Sequence, residues 1–203
     1  MRTLGPLTEA EAVLEFLRGE AGSPRFRAKL APSLEALGGD WSLIEAGDPA
    51  DAAQARLRRD LLWAYRGPSG PAPLLEGFPA DVAWERVGLT PEELLEVRYT
   101  RYPYWMELSG GTRSPLRAAE RIRAGVQPVP GPATSTFTQL AELLCQGLRP
   151  PPPILVGASR AGALVVLEGH SRLTAYALRP DCAPAEVEAV LGVSGRMAEW
   201  VLY

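Results

Sequence analysis

Leu164-Val165-Val166-Leu167-Glu168-Gly169-His170-Ser171-Arg172-Leu173-Thr174-Ala175-Tyr176-Ala177-Leu178 reads as a buried strand that passes through one glycine into an amphipathic helix. Such a junction is an anion site in outline. The first N–H groups of a helix lack intrahelical acceptors and stand at the positive end of its dipole, and a glycine lets a ligand approach the main chain. His170, Ser171 and Arg172 add donors at the same spot, and His170 is the only histidine in the chain, a side chain that titrates near neutral pH when unperturbed. Strand-Gly-helix turns also occur throughout α/β proteins as plain structure, so the surroundings decide the reading.

Upstream, Pro153-Ile154-Leu155-Val156 and a Gly-containing turn complete a hairpin with the strand Leu164 to Leu167. Phe137 to Leu144 predicts a helix, ending before Gly147 and a proline run. Val82 to Val87 predicts an opening strand, followed by a short helix over Leu89-Thr90-Pro91-Glu92-Glu93-Leu94. Downstream, Pro184 to Leu191 reads as a helix and Met197 to Tyr203 as a final strand. Ser109-Gly110-Gly111-Thr112-Arg113-Ser114-Pro115 is a Gly-rich turn into a helix, with Ser114 as N-cap and Pro115 as first residue. It is a second candidate anion cradle, with Thr112 and Arg113 as donors, and it lacks the lysine and spacing of a P-loop.

Taken together, residues 80 to 203 resemble the ParB/sulfiredoxin-like superfamily: a proline-led strand, a hairpin, then an acidic residue, Gly, polar residues, Arg, a hydrophobic residue and Ala. The resemblance implies an α/β (α+β) fold with a small mixed sheet flanked by helices. Residues 1 to 66 form a helical unit ahead of it, and 67 to 79 a linker.

In the N-terminal part, Thr8-Glu9-Ala10-Glu11 is a capping box, and Ala12, Val13, Phe16 and Leu17 carry that helix to about Arg18. Ser23-Pro24 and Asp48-Pro49 are two more N-cap and first-turn pairs. The last helix carries Ala55, Leu57, Leu61, Leu62 and Tyr65 and ends at Gly67. Gly67-Pro68-Ser69-Gly70-Pro71-Ala72-Pro73 cannot continue a helix.

A length of 203 residues with 46% hydrophobic and 22% charged residues suits a globular chain of one or two domains. The net charge of -3 argues against a broad nucleic-acid footprint, which needs a basic face. Of the 21 cationic residues all but Lys29 are arginine. Cys145 and Cys182, with one histidine, cannot assemble a Cys/His zinc site, and Cys145 falls on the apolar side of its helix as a small core residue. No apolar run reaches membrane-spanning length and the first residues lack a secretion signal, which predicts a cytoplasmic protein.

The superfamily carries several activities on one nucleotide-binding scaffold. A cysteine nucleophile of the sulfiredoxin type is missing, since Gly169 is followed by His170 and Ser171, and peroxiredoxin repair is excluded. About two dozen residues follow the motif helix, too few for the helix-turn-helix unit of partition proteins.

The leading expectation is a nucleotide-phosphate-binding protein resembling free serine kinases, a small-molecule phosphotransferase or nucleotide hydrolase. Gly169, His170, Ser171, Arg172, Thr112 and Arg113 would hold the phosphates of an ATP, ADP or CTP-type ligand with Mg²⁺. Glu168 would hold the metal through water or act on the acceptor, and Glu85 would be the second catalytic carboxylate, with Glu92 and Glu93 competing for that place. The alternatives are a non-catalytic nucleotide-binding or protein-interaction module, whose helical unit meets a partner protein with tryptophans 41, 63, 84, 105 and 200 as contact surface, and a ParB-like nuclease.

Overall fold

The computed structural model describes all 203 residues. Strands β3 (Ile154–Gly157) and β4 (Leu164–Glu168) form an antiparallel hairpin, and Gly169 turns the chain into the helix His170–Leu178. β3 is apolar throughout because both its faces are covered: Leu155 points into one core, and Ile154 and Val156 into the other. Around the hairpin lies a five-stranded mixed sheet in the order β1-β2-β5-β3-β4, with β1 at Arg2–Leu7, β2 at Ala83–Leu89 and β5 at Val187–Val193. β3 and β5 run parallel, and the other neighbours are antiparallel.

Nine helices complete this α+β architecture. In chain order they are α1 (Glu9–Ala21), α2 (Pro24–Ala36), α3 (Ser42–Glu45), α4 (Ala52–Arg66), α5 (Pro91–Glu96), α6 (Pro103–Leu108), α7 (Pro115–Arg123), α8 (Ser135–Cys145) and α9 (His170–Leu178). One face of the sheet packs on α5 to α9 through Leu94, Leu108, Ala118, Phe137 and Leu173. The other face receives Ala12 and Phe16 of α1 together with Leu74, Leu75, Met197 and Trp200. Val13, Leu17 and Ala21, on the opposite side of α1, pack against Leu30, Leu34, Ile44, Leu61 and Tyr65 of α2 to α4. α1 therefore has two apolar faces, and its position ties the helical layer to the sheet.

Several sequence expectations take a different form. Residues 2 to 7, read as part of a helical unit, are the edge strand β1 paired with β2. The stretch 184 to 191, read as a helix, instead enters the central strand β5 at Val187–Val193, flanked by β2 and β3. Val187, Val190 and Leu191 satisfy helical spacing, but β-branched residues between covered strands gain more from the sheet. The C-terminal stretch is a 3-10 turn at Met197–Glu199 followed by the buried Trp200, whose indole N–H donates to Leu74 O. The α4 cap is Asp51 rather than Asp48, with Asp51 Oδ1 accepting from the N–H groups of Ala53 and Gln54. The expected capping box of Thr8 with Glu11 and the Ser114 cap with Pro115 are present, and Thr90 with Glu93 forms a further capping box.

Cys145 is an exposed residue, not a core one, and is bonded to Cys182 in a disulfide with Cα atoms 4.8 Å apart. No helix is long and apolar enough to cross a membrane.

Candidate functional site

Gly169 adopts φ +103°, a left-handed turn that only glycine enters without strain, and a Cβ there would stand 2.9 Å from Pro153 Cβ. The turn aims α9 back across the sheet and buries Arg172, which is 7% exposed. The guanidinium is engaged on several sides: it donates to Pro151 O at 2.5 Å and Pro152 O at 3.4 Å, and pairs with Glu168 one helical turn back. Burial lowers the Arg172 pKa to about 10, which leaves it cationic at neutral pH. The Glu168 carboxylate lies against Gly19 of α1, where a Cβ would come within 2.8 Å of Oε2.

Beside this contact the buried Glu20 accepts from Arg66 and, at 3.1 Å, from Tyr65 O–H. Two carboxylates and two arginines thus close the seam between α1, α4 and the strand-Gly-helix junction. Their charges match, as a buried ionic seam requires.

His170 is half-buried. Its imidazole stacks on Trp105 at 4.9 Å and Tyr99 at 6.1 Å, and Nε2 shares a 2.9 Å hydrogen bond with Thr100 Oγ1. Burial, with a smaller contribution from the Arg66 charge, lowers its pKa to about 3, so the ring is neutral under ordinary conditions. Ser171 is exposed on the first turn of α9.

Thr100 belongs to an extended segment, residues 98 to 101, lying along the outer edge of β4. Arg98 N–H donates to Leu164 O and Arg98 O accepts from Val166 N–H. On its other side the segment meets the Gly-rich turn, where Tyr99 N–H donates to Arg113 O at 2.9 Å and Arg113 Nε donates to Tyr99 O at 2.6 Å. Gly110 and Gly111 have positive φ, and so does Arg113 at +64°, the only non-glycine residue in the chain to do so. A bulky residue in that conformation is strained, and the strain is held by local bonds: Arg113 N–H to Ser109 Oγ, Thr112 Oγ1 to Ser109 O, and Ser114 N–H to Thr112 Oγ1.

The result is a cationic face of Arg98, Arg101 and Arg113. Burial, then the charges of Arg101 and Arg98, disfavours the protonated form of Arg113. None of them forms an ion pair, whereas Arg2 meets Glu186, Arg86 meets Glu188 and Arg160 meets Glu85. Nη2 of Arg113 is buried and has no acceptor. Arg98 and Arg101 are exposed.

The carboxylates expected to act together stand apart. Glu85 on β2 accepts from Arg160 at 2.8 Å and from Thr3 at 3.2 Å. β2 is three strand positions from β4, roughly 14 Å at about 4.8 Å per strand. Glu93 closes the α5 capping box, and Glu92 lies in the same first turn. No group of three or more His, Cys, Asp or Glu side chains gathers as a metal-holding set.

Sequence reasoning singled out Thr112 and Arg113 but missed Arg98 and Arg101. The available signal was Arg98-Tyr99-Thr100-Arg101, two arginines three apart with no acidic residue between them. No protein-family profile, no curated protein and no solved structure matches the chain.

Proposed function

We propose that the chain binds a phosphate-bearing ligand, of the nucleoside di- or triphosphate class implied by its ParB/sulfiredoxin-like sequence pattern, on the face of Arg98, Arg101, Arg113 and Thr112. The observation that carries this reading is the unmatched charge. The charges of Arg98 and Arg101 bear on Arg113, whose Nη2 is buried without an acceptor, and none of the three pairs with a carboxylate, in a chain of net charge -3. Unpaired like charges on one face suit an anion, and arginine forks suit phosphate oxygens. Ser171 and the first N–H groups of α9 lie close by through the Thr100–His170 bond and would extend the same surface.

Binding is favoured over turnover. Glu168 is taken up by Arg172 and Glu85 by Arg160, so neither is free to orient an acceptor or receive its proton. The donor set does not fit a protein-held Mg²⁺, and any such ion would arrive with the ligand's phosphates. A protein partner is a second reading, supported by Trp63 on α4, which is 56% exposed, while Trp200 is buried. A cytoplasmic setting belongs to the same proposal, with one condition: cytosolic disulfides in most organisms are redox-responsive rather than permanent.

Calorimetric titration with ATP, ADP and CTP, with and without Mg²⁺, followed by a screen for free phosphate and phosphorylated amino acids, tests the reading. Binding without turnover is expected. Heat-silent titrations with all three nucleotides would contradict it.

A further inference from the structure

We propose that the Cys145–Cys182 disulfide is a redox latch that sets the firmness of α9 and, through it, of the arginine face; its link to that face rests on the reading of the face as the ligand site. Cys145 is the last residue of α8, and Cys182 ends the 3-10 turn Pro180–Cys182 directly after α9. The 37-residue separation encloses β3, β4 and α9, so the bond closes a covalent loop around the whole strand-Gly-helix element. Cys145 is exposed and Cys182 half-buried, which puts the bond within reach of a reductant. No metal-holding group and no neighbouring histidine competes for these sulfurs.

The bond is placed to act on α9. Besides the disulfide, the C-terminal end of that helix is held by the burial of Tyr176, Ala177 and Leu178 in the core and by Arg123 Nη2 donating to Leu178 O at 2.6 Å, while the Arg179–Asp181 pair beside it is exposed. The middle and start of α9 are joined to the segment bearing Arg98 and Arg101: Tyr99 O–H and Thr174 Oγ1 lie 2.7 Å apart, and His170 bonds to Thr100. A loosening at residue 182 therefore reaches the arginines through one short helix.

The reaction is thiol–disulfide exchange with a dithiol. One thiolate attacks a protein sulfur to give a mixed disulfide, and its second thiolate displaces the protein. Two cysteine thiols and one oxidised dithiol result, with two electrons and two protons transferred.

The test uses the full chain equilibrated in an oxidising glutathione buffer, then treated with dithiothreitol. Intact mass after alkylation should show no labelled cysteine before reduction and two after it. Hydrogen exchange over residues 98–101 and 170–178 should accelerate at least tenfold on reduction, while α1 is unchanged. Cys145→Ser should match the reduced protein and ignore the reductant. Affinity for inorganic tripolyphosphate should fall several-fold.

Two alkylated cysteines in the oxidised sample, or exchange over 170–178 that reduction leaves alone, would overturn the latch. Faster exchange with unaltered tripolyphosphate affinity would overturn its link to the arginine face. Faster exchange in a protein that binds no tripolyphosphate even when oxidised would uphold the latch and refute the ligand site.

Discussion

The backbone of Gly19 lies against the Glu168 carboxylate, so close that a Cβ on the glycine would stand 2.8 Å from Oε2. This contact docks α1 on the strand-Gly-helix junction, and it inverts the usual effect of a helical glycine. In an exposed helix Gly→Ala stabilises by about 1 kcal/mol. Here Gly19→Ala must shift the Glu168 carboxylate that Arg172 holds, and overpacking of that kind costs about 1–3 kcal/mol. Urea unfolding should place Gly19→Ala below the parent in stability; a gain would show that the seam is looser than described.

Arg172 and Arg101 should separate structure from binding. Arg172→Ala strands a mostly buried Glu168 charge and frees the Pro151 carbonyl, a loss of about 3–5 kcal/mol by analogy with other broken buried pairs. Arg101→Ala removes an exposed like charge and should change stability by no more than about 0.5 kcal/mol. Its phosphate affinity should fall at least tenfold, since a hydrogen bond to a charged group is worth about 1.5–3 kcal/mol. Denaturant curves and titrations on both variants check the pair of outcomes, and the reverse pattern would reassign the site to Arg172.

His170 makes stability depend on pH in a definite direction. Its folded pKa of about 3 lies below the value near 6.5 expected of the unfolded chain, so between these limits the unfolded state holds the extra proton. Stability then rises with pH across the window. Below pH 6.5 it falls by at most about 1.4 kcal/mol per unit, levelling off near pH 3. His170→Phe keeps a ring stacked on Trp105 and removes the titration, so its stability deficit relative to the parent should shrink between pH 7 and 5. Parallel curves would show that the imidazole is not sequestered.

The hairpin, the Gly169 turn and α9 were legible because apolar strands, a glycine and a helical repeat occur there in sequence, and the Thr8 and Ser114 caps were legible because their donors and acceptors lie within three residues. What was hidden depends on distant partners. β1, Arg-Thr-Leu-Gly-Pro-Leu, has no alternating pattern and becomes a strand by pairing with β2 at separations of 77 to 86 residues. β5 has an ambiguous period that only its two neighbours resolve.

The same holds for the site. Arg172 has the sequence position of a phosphate ligand, yet Glu168 and two proline carbonyls take its donors. Arg98 and Arg101 carry no motif and come into view only where the chain sets them beside Arg113. The Cys145–Cys182 bond depends on a Cα approach that a spacing of 37 does not encode.

The most direct test of the central claim is a crystal structure of the protein grown with a non-hydrolysable nucleoside triphosphate. Phosphate density is expected between Arg98, Arg101 and Arg113, with the Glu168–Arg172 pair undisturbed. Phosphate held by Arg172 at the Gly169 junction, with Glu168 displaced, or an arginine face that stays empty at saturating ligand, would contradict it.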